Sequence, residues 1–515
     1  MEGLNKRKSA KNIIQKGKNS MNMKLFVTGG ADLVKQVCNI TMTDEKDEPR
    51  ALENQVVNIY PDFTYQTITG FGGAMTEAAG YALSKVSPEK QQEMIEAYFG
   101  PEGNGYSVIR THIDSSDFSC SMYQAVADVT KDPNFETFTL DRDRKYIIPA
   151  IKKAMEAAGY PISVLLSPWS PPAEWKTESE MIKGFRKMAD LKKVMATEQQ
   201  SEEIKEESPM VRAIMDTVKN APTDGTGTRK CGGHLKPEYY DSWAKYMAKY
   251  VKAYLDEGIP VKFLTVQNEA QAATPWDSCQ WTPEEEHVFL RDYLYPAMEK
   301  EGLIGRVGLY FWDHNKENLV NRTRVMMDEK TEKMVEGAAF HWYSGDHFEA
   351  VSLVHERYPK LRLMLTEECC GFTTDKETEL AHGESYAHDI IGNLNAGMDT
   401  WFDWNLYLDE KGGPNHVSNF CSAPVMLDGK GGYEKKASYE FIGHFSKHIA
   451  PGAVRIGWTK YTDKLEVTAF KNPSGKIAAV FLNRTKEELP VNIRLEGNVA
   501  KFVLPADTIA TAVIG

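Results

Sequence analysis

Short, nearly continuous apolar runs alternate with longer amphipathic segments between Tyr65 and Leu408. Such runs are typical of parallel strands that are covered on both faces. The segments between them have helical spacing, most clearly over residues 239–257. The eight runs are YQTITGFGG, YSVIRTHID, PISVLLSPW, VKFLTVQNE, VGLYFWDHN, AAFHWYSG, LRLMLTEE and MDTWFDWNL. Eight strand–helix units predict an α/β fold of the (β/α)8, or TIM, barrel type, and no dinucleotide-binding glycine loop follows the first run.

The pattern changes near Ala450, where short alternating runs are separated by turn residues. The sequence NPSGK at 472–476 is a hairpin signal, so this tail predicts an antiparallel β domain. Residues 23–66 also resemble strands and are expected to complete that domain. The predicted organisation is therefore N-terminal strands over 23–66, a barrel over 67–445, and the rest of the β domain over 446–515.

Two segments depart from this organisation. Residues 1–22 are basic and polar and lack the apolar core of a signal peptide, which predicts a disordered leader rather than a nucleic-acid-binding arm. Residues 177–229 are highly charged and follow the third predicted strand. This insertion would lie over the carboxyl ends of the strands, either as a lid or as a solvated loop.

Composition restricts the partners. The chain has 515 residues and a net charge of −12, which argues against binding of nucleic acid. No run approaches the roughly 18 apolar residues of a membrane span. The seven cysteines are odd in number and widely spaced, which predicts free thiols and a cytoplasmic location. The oligomeric state is left open.

Polar and aromatic residues collect where the predicted strands end, and in a barrel these ends meet on the face that carries the active site. Glu269 and Glu367 follow buried runs, where a carboxylate is costly without a partner or a purpose. Two carboxylates are the minimum requirement for cleavage of a glycosidic bond. A structural ion pair with Arg110 is the alternative. Tryptophans near the same ends favour a sugar pocket, because sugar rings expose apolar faces.

Glu367 and Glu368 are adjacent, and neighbours in a strand point to opposite faces. Glu367 shares its face with Leu363 and Leu365, which favours Glu367 as the residue facing inward. Glu368 is then expected to face the helix layer. Cys369 and Cys370 are predicted to be small buried residues.

Several ordered motifs resemble glycoside hydrolase family 30, from about Thr69 to the C-terminus without the insertion. They are ITGFGGAMTEA, SDFS, SPWSPPAEWK, VQNEA, HWYSGD, LTEECCGF, DWNL with GGPN and NF, and GHFSKHIAPGA. The resemblance implies a barrel with an attached β-sandwich built from both chain ends. It also implies retaining hydrolysis of a β-linked sugar, with no metal and no cofactor.

The resemblance also implies roles for individual residues. Glu269 would be the acid/base and Glu367 the nucleophile. The residues expected to bind the substrate are Arg110, Asp117, Trp169, Asn268, Tyr343, Trp404 and Asn419. Such a site should raise the pKa of Glu269, keep Glu367 ionised, and place the two carboxyls about 5–5.5 Å apart.

The implied substrate is a small or short-chain β-glycoside, most simply a β-glucoside or a glucosylceramide-like molecule. Asp117 and Trp404 favour a gluco-configured sugar. However, His416 replaces the tryptophan usual in glucosylceramidases, and the loop AQAATPWDSCQW differs from theirs, which puts a ceramide leaving group in doubt. β-Xylosidase, β-fucosidase and β-1,6-glucanase activities remain open. Outside this class, the alternatives are an inactive sugar-binding protein and a metal enzyme using His341, His347 and Glu367.

Overall fold

The structure, a computed structural model, describes residues 21–30, 32–48, 54–180, 183 and 230–515. Most of the predicted leader and of the predicted insertion therefore lie outside the described residues. Asn22, which was assigned to the leader, already belongs to the first strand.

The strands of the described residues, in chain order, are β1 (Asn22–Gly29), β2 (Val34–Thr41), β3 (Thr43–Asp44), β4 (Val56–Thr67), β5 (Gly70–Ala74), β6 (Val108–Ile113), β7 (Ser163–Pro168), β8 (Val261–Thr265), β9 (Gly308–Asn315), β10 (Gly337–His341), β11 (Arg362–Glu367), β12 (Cys370–Gly371), β13 (Thr400–Asn405), β14 (Tyr407–Leu408), β15 (Cys421–Ser422), β16 (Val425–Leu427), β17 (Tyr433–Lys435), β18 (Val454–Thr459), β19 (Glu466–Lys471), β20 (Ile477–Asn483), β21 (Leu489–Leu495), β22 (Asn498–Leu504) and β23 (Thr508–Ile514).

The α-helices of the described residues are α1 (Glu77–Leu83), α2 (Pro88–Phe99), α3 (Asp141–Ala157), α4 (Tyr240–Asp256), α5 (Pro283–Phe289), α6 (Tyr295–Lys300), α7 (Leu319–Met326), α8 (Phe348–Arg357), α9 (Lys376–Ala396) and α10 (Ala437–Ser446). Helix α5 begins with a capping box, in which the Thr282 hydroxyl accepts from the Glu285 N–H and the Glu285 carboxylate accepts from the Thr282 N–H. In the described part of the chain, no helix is both long enough and apolar enough to span a bilayer.

Eight parallel strands close into a barrel in the order β10, β11, β13, β5, β6, β7, β8, β9. Each of the eight predicted apolar runs contains one of these strands, or all but one residue of it. The barrel is thus confirmed, and its strand ends converge on one face as expected.

The barrel interior is layered. Near one end it is filled by an apolar cluster drawn from seven of the eight strands: Val108, Leu165, Phe263, Tyr310, Ala339, Met364 and Phe402. One further step along β6 towards its carboxyl end, the inward side chain is Arg110, which is fully buried. The change from an apolar to a polar layer marks the floor of the candidate site.

The remaining large sheet has ten strands in the order β2, β1, β23, β20, β19, β18, β4, β21, β22, β3. Both chain ends contribute to it, because β1 pairs with β23 and β4 pairs with β18 and β21. The pairs are antiparallel except β4 with β21, which is parallel. The prediction of a purely antiparallel domain is wrong at this pair, because β4 arrives from the N-terminal segment and not through a hairpin.

A buried histidine fastens this sheet to the last helix of the barrel. His444 of α10 contacts the hydroxyls of Thr28 in β1 and Thr511 in β23, both at 2.9 Å. Burial lowers the pKa of His444 to about 3, so the ring is neutral and can donate to one hydroxyl while accepting from the other. The two chain ends are therefore fixed to the same helix.

Candidate active site

Arg110 organises the polar layer above the apolar cluster. Its Nη1 donates to Glu367 Oε2 at 2.7 Å, and its Nη2 donates to Asn268 Oδ1 at 2.7 Å and to Asp313 Oδ2 at 3.0 Å. Its Nε donates to Ser167 Oγ at 3.2 Å. The planar guanidinium therefore fixes the relative positions of side chains from four other strand ends.

Glu367 is the last residue of β11 and lies next to the expected tyrosine. Tyr343 donates its hydroxyl to Glu367 Oε1 at 2.9 Å, while Arg110 binds the other oxygen. Both carboxylate oxygens thus have a donor. The contacts expected for an ionised nucleophile are present.

The strand alternation used to choose Glu367 is wrong, although its conclusion is right. Met364 belongs to the interior cluster, whereas Leu363 and Leu365 pack in the outer core with the helices. Continued alternation would turn Glu367 outward. The pairing of β10 with β11 instead shifts register between Phe340 and His341, so that His341 lies opposite Glu367. A local irregularity re-aims the side chain at the strand end.

Glu368 faces the helix layer, as predicted. Its Oε2 accepts from Trp401 Nε1 at 2.8 Å, and its Oε1 is buried without a hydrogen-bond partner. Burial, together with the charge of Asp389 on α9, raises the pKa of Glu368 well above its ordinary value. Cys369 and Cys370 are half-buried and not fully buried as expected, and the Sγ atoms of Cys369 and Cys421 lie 3.6 Å apart as free thiols.

Glu269 is placed by a strained backbone and not by the strand itself. It lies four residues beyond β8 with a φ of +50°, in the left-handed region that non-glycine residues seldom adopt. Its N–H donates to the Asp313 carbonyl at 2.7 Å, and the preceding Asn268 N–H donates to the Pro168 carbonyl at 2.8 Å. Strain of this kind persists where surrounding contacts impose it, commonly at active sites.

Asp313 is a central residue of the site that sequence reasoning did not assign. Its Oδ1 contacts His341 Nε2 at 3.1 Å and accepts from Thr366 at 2.5 Å, and its Oδ2 accepts from Thr265 at 2.7 Å as well as from Arg110. The sequence did contain an indication of this role, because Asp313 lies near the end of a predicted apolar run, as Glu269 and Glu367 do. Only the closed barrel reveals that it lies between Arg110 and His341.

The charges around Glu269 reverse the expected order of pKa values. Burial raises the pKa of Glu269, but His341, His314 and Arg110 outweigh burial and bring it below its ordinary value. Burial, together with the charge of Glu269, raises the pKa of Glu367 above its ordinary value although His341 and Arg110 act to lower it. Burial lowers the pKa of His341, but its carboxylate neighbours, led by Glu367, raise it to about 9. The expectation failed because the sequence did not show that two histidines would face Glu269.

Four of the predicted sugar-binding residues form two contacting pairs, Trp169 with Trp404 and Asn419 with Asp117. Trp169 and Trp404 stack with ring centroids 5.2 Å apart, and the Arg110 guanidinium lies 4.8 Å from the Trp169 ring. Asn419 donates to Asp117 Oδ2 at 3.1 Å, while Asp117 Oδ1 is buried with no hydrogen-bond partner. A buried free acceptor beside aromatic rings suits a sugar hydroxyl above an apolar ring face.

The two loops that depart from the resembled family contact each other at the rim. His416 Nε2 lies 3.2 Å from Asp277 Oδ2, and Asp277 Oδ1 accepts from Ser115 at 2.6 Å. Lys230, at the end of the insertion, lies 3.7 Å from the same carboxylate. His416 also donates through Nδ1 to the Ser119 carbonyl at 2.9 Å. Asp277, His416, Ser115, Ser119 and Lys230 are thus connected by contacts between loops, and together they are called the rim.

The metal set considered from the sequence is not brought together. Across the described residues, one group of three potential ligands has donor atoms within 4.8 Å of one another, and it consists of Glu269, His314 and His341. His347, the expected third ligand, is instead an exposed residue that precedes α8.

The buried Glu367 and the half-buried Glu269 lie at strand ends of a (β/α)8 barrel, and the guanidinium that binds Glu367 also binds Asn268, the residue next to Glu269. Two such carboxylates near stacked tryptophans are characteristic of a glycoside hydrolase. Comparison with known families agrees. The glycosyl hydrolase family 30 TIM-barrel domain matches residues 68–192 and 213–449, and the family 30 β-sandwich domain matches residues 452–512. The chain belongs to glycoside hydrolase family 30 and is a retaining glycosidase, because retention is general to the family.

Individual relatives cover most of the chain. Lysosomal acid glucosylceramidase of Mus musculus is 30% identical over 454 residues, which are 85% of this chain and 79% of that protein. Endo-1,6-β-D-glucanase neg1 of Aspergillus fumigatus is 23% identical and covers 87% of this chain and 85% of its own length. The crystal structure of SrfJ from Salmonella typhimurium superposes with a TM-score of 0.81 at 28% identity, covering 95% of this chain and 99% of SrfJ.

Proposed function

We propose that this glycosidase removes a terminal β-linked glucosyl residue, with Glu367 as the nucleophile and Glu269 as the acid/base. The observation that carries the proposal is the Arg110 fork, which binds Glu367 and Asn268 at 2.7 Å each. The same side chain thus sets the position of the nucleophile and that of the residue preceding the acid/base.

The reaction would proceed in two displacements. A Glu367 oxygen attacks the anomeric carbon, the glycosidic bond breaks, and the leaving oxygen takes a proton from Glu269. His341, which lies 3.5 Å from Glu269 Oε1, is a neighbouring group able to return a proton to Glu269. Once Glu367 is esterified its charge is lost, and ionised Glu269 then takes a proton from the water that releases the sugar.

The sugar specificity is proposed from one wall of the pocket. Asp117 and Asn419 would hold hydroxyls at the non-reducing side of the ring, and Trp404 would support its apolar face. The mouse relative is named a glucosylceramidase, which favours a β-glucosyl group. The Asp277–His416 rim differs from the glucosylceramidase pattern, so the proposed leaving group is small or short-chain and not necessarily ceramide.

The second candidate is cleavage of β-1,6-linked glucan. It is favoured by the Aspergillus fumigatus relative, which is named an endo-1,6-β-D-glucanase. β-Xylosidase and β-fucosidase activities are further alternatives that share the same catalytic pair.

A cytoplasmic location remains a proposal, and the seven cysteines, all free thiols in the structure, are compatible with it.

A substrate panel tests the proposal. Initial rates with p-nitrophenyl β-glucoside, β-xyloside and β-fucoside are compared with release of glucose from a soluble β-1,6-glucan. We expect the β-glucoside to have the highest kcat/KM, and proton NMR of early product to show the β-anomer. A higher kcat/KM on the glucan would favour the second candidate. No turnover of any substrate, with glucose binding intact, would favour the inactive sugar-binding alternative.

A further inference from the structure

Two imidazole rings point at one oxygen of the acid/base. The Nδ1 of His341 lies 3.5 Å from Glu269 Oε1, and the Nδ1 of His314 lies 3.8 Å from the same atom. Both Nδ1 atoms are buried and neither has a hydrogen-bond partner. Buried polar nitrogens without partners are uncommon, and two that converge on one carboxylate indicate a position for a ligand.

The outer contacts of His341 resemble those of a metal-binding histidine. Its Nε2 contacts the Asp313 carboxylate at 3.1 Å, which orients the ring and leaves Nδ1 directed at Glu269. A histidine that binds a metal usually donates its other ring nitrogen to a carboxylate in this way. Asp313 itself is fixed by Arg110, Thr265 and Thr366, so the ring cannot easily turn away.

The charge of the site also favours a cation. Three carboxylates, those of Glu269, Asp313 and Glu367, surround a single permanent positive charge on Arg110. With neutral histidines this group carries a net negative charge in a buried place, which is costly unless a proton or a cation offsets it. A cation bound by Glu269 and both histidines would offset this negative charge.

The spacing fits a transition metal. Bonds of about 2.0–2.2 Å in a tetrahedron put neighbouring ligand atoms about 3.3–3.6 Å apart. The two histidine nitrogens lie 3.5 and 3.8 Å from Glu269 Oε1, and all three ligand atoms lie within 4.8 Å of one another, so a modest contraction would bring them into range. Two imidazole nitrogens and one carboxylate suit Zn²⁺ or Co²⁺, whereas Mg²⁺ and Ca²⁺ prefer oxygen ligands.

We propose that Glu269, His314 and His341 form a binding site for Zn²⁺ or a similar divalent transition metal, and that its occupation inhibits hydrolysis. A metal on Glu269 Oε1 prevents that carboxyl from giving a proton to the leaving group. The binding part of the proposal stands on the geometry of the three residues. The inhibition rests on the proposed role of Glu269.

The test uses the full chain with Zn²⁺ and Co²⁺ as probes. Hydrolysis of p-nitrophenyl β-glucoside is measured over a range of Zn²⁺ concentrations, and Co²⁺ binding is followed through the visible absorption of the tetrahedral ion. We expect inhibition by Zn²⁺ that EDTA reverses, no inhibition by Mg²⁺, and visible Co²⁺ bands. The His314→Asn variant should need at least tenfold more Zn²⁺ for half-inhibition of its own rate and should lose the Co²⁺ bands.

Two matched variants identify the residues responsible. His347→Asn makes the same substitution at an exposed histidine and should keep the wild-type Zn²⁺ response. Cys369→Ser removes one sulfur of the nearby thiol pair, which could itself bind Zn²⁺, and should also keep that response. Loss of inhibition in Cys369→Ser, or equal inhibition in wild type and His314→Asn, would overturn the proposed site.

The spectroscopic readout separates the two parts of the proposal. Co²⁺ bands that disappear in His314→Asn while the metal leaves hydrolysis unchanged would support the site and contradict the role of Glu269. Absence of both the bands and the inhibition in the wild-type protein would overturn the metal site itself.

Discussion

The floor of the active site and its rim are built in different ways. In the floor, Arg110 joins side chains from four other strand ends through bonds of 2.7–3.2 Å, and the motifs involved are those of the family. The rim is made by loops, where Asp277 contacts His416, Ser115 and Lys230. The loops that carry Asp277 and His416 are those expected from the sequence to differ from glucosylceramidases. Under the proposed function, the floor would carry out the chemical steps and the rim would contact the leaving group of the substrate.

The largest expected effect comes from Glu367, the proposed nucleophile in the floor. Glu367→Gln keeps the shape of the side chain and an oxygen for Arg110 but removes the attacking carboxylate. We expect kcat for p-nitrophenyl β-glucoside to fall by about 10⁴-fold or more, with an unchanged circular dichroism spectrum.

Its matched control is the adjacent glutamate. Glu368→Gln alters a side chain that faces Trp401 in the helix layer, and a glutamine oxygen can still accept that N–H. We expect kcat to stay within about threefold of wild type, as for other substitutions away from the reacting atoms. Loss of turnover in Glu368→Gln with activity retained in Glu367→Gln would contradict the assignment.

Glu269→Gln tests the other carboxyl of the floor. General acid catalysis contributes about 10²–10⁴-fold, so the rate on alkyl β-glucosides should fall by that amount. A dinitrophenyl leaving group departs without a proton, and its β-glucoside should lose much less in the first step. Added azide should restore turnover and give β-glucosyl azide, because it attacks without a general base. Failure of azide to act, with a substrate-independent loss of rate, would point to a structural role.

Substitutions in the rim should affect binding more than chemistry. Asp277 is buried and holds His416, whose loop carries Asn419, the donor to Asp117. Asp277→Asn should therefore raise KM by about tenfold, ~1.4 kcal/mol, while kcat changes little. The control Asp463→Asn alters an exposed aspartate of the β domain and should leave both constants unchanged. A fall in kcat with an unchanged KM would show that the rim takes part in the chemical step.

The smallest effect is a pH dependence of stability. Burial lowers the pKa of His416, but Asp277 and the Ser119 carbonyl raise it above 6.5. A raised histidine pKa contributes stability that is complete below pH 6.5 and is lost as the pH rises through the folded-state value. Asp277, with a pKa of about 2, stays ionised throughout this range.

Thermal unfolding measures this contribution. The Tm of the wild-type protein should exceed that of His416→Gln at pH 6, and the gap should narrow at pH 9. An equal gap at both pH values would mean that packing, and not the charge of His416, accounts for its contribution to the rim.

The sequence was sufficient to predict the barrel because its eight apolar runs are nearly continuous and alternate regularly with amphipathic segments, and each run forms a strand. It was also sufficient to bring Glu269 and Glu367 to notice, since a carboxylate after a buried run is unusual. The resemblance supplied the rest of the site, and the structure brings Arg110, Asn268 and Tyr343 into direct contact with one another or with Glu367.

The predictions that the structure contradicts were wrong for physical reasons. Strand alternation gave the wrong face for Leu363 and Leu365, because the register shift next to His341 breaks the period of two. The pKa of Glu269 was expected to rise, because the convergence of His314 and His341 depends on closure of the barrel. The parallel pair of β4 with β21 joins segments more than 400 residues apart, which no local pattern encodes.

The pairing of β1 with β23 determines when the molecule can be completed. Of the strands in the described residues, the first lies beside the last, and His444 holds both against the barrel. Strand β1 can therefore pair with β23 only after β23 has been synthesised, while the barrel that lies between them in the sequence can fold earlier. Proteolytic loss of β23 would leave β1 without that neighbour and remove the Thr511 contact with His444, so that the Thr28 contact alone of this pair would remain.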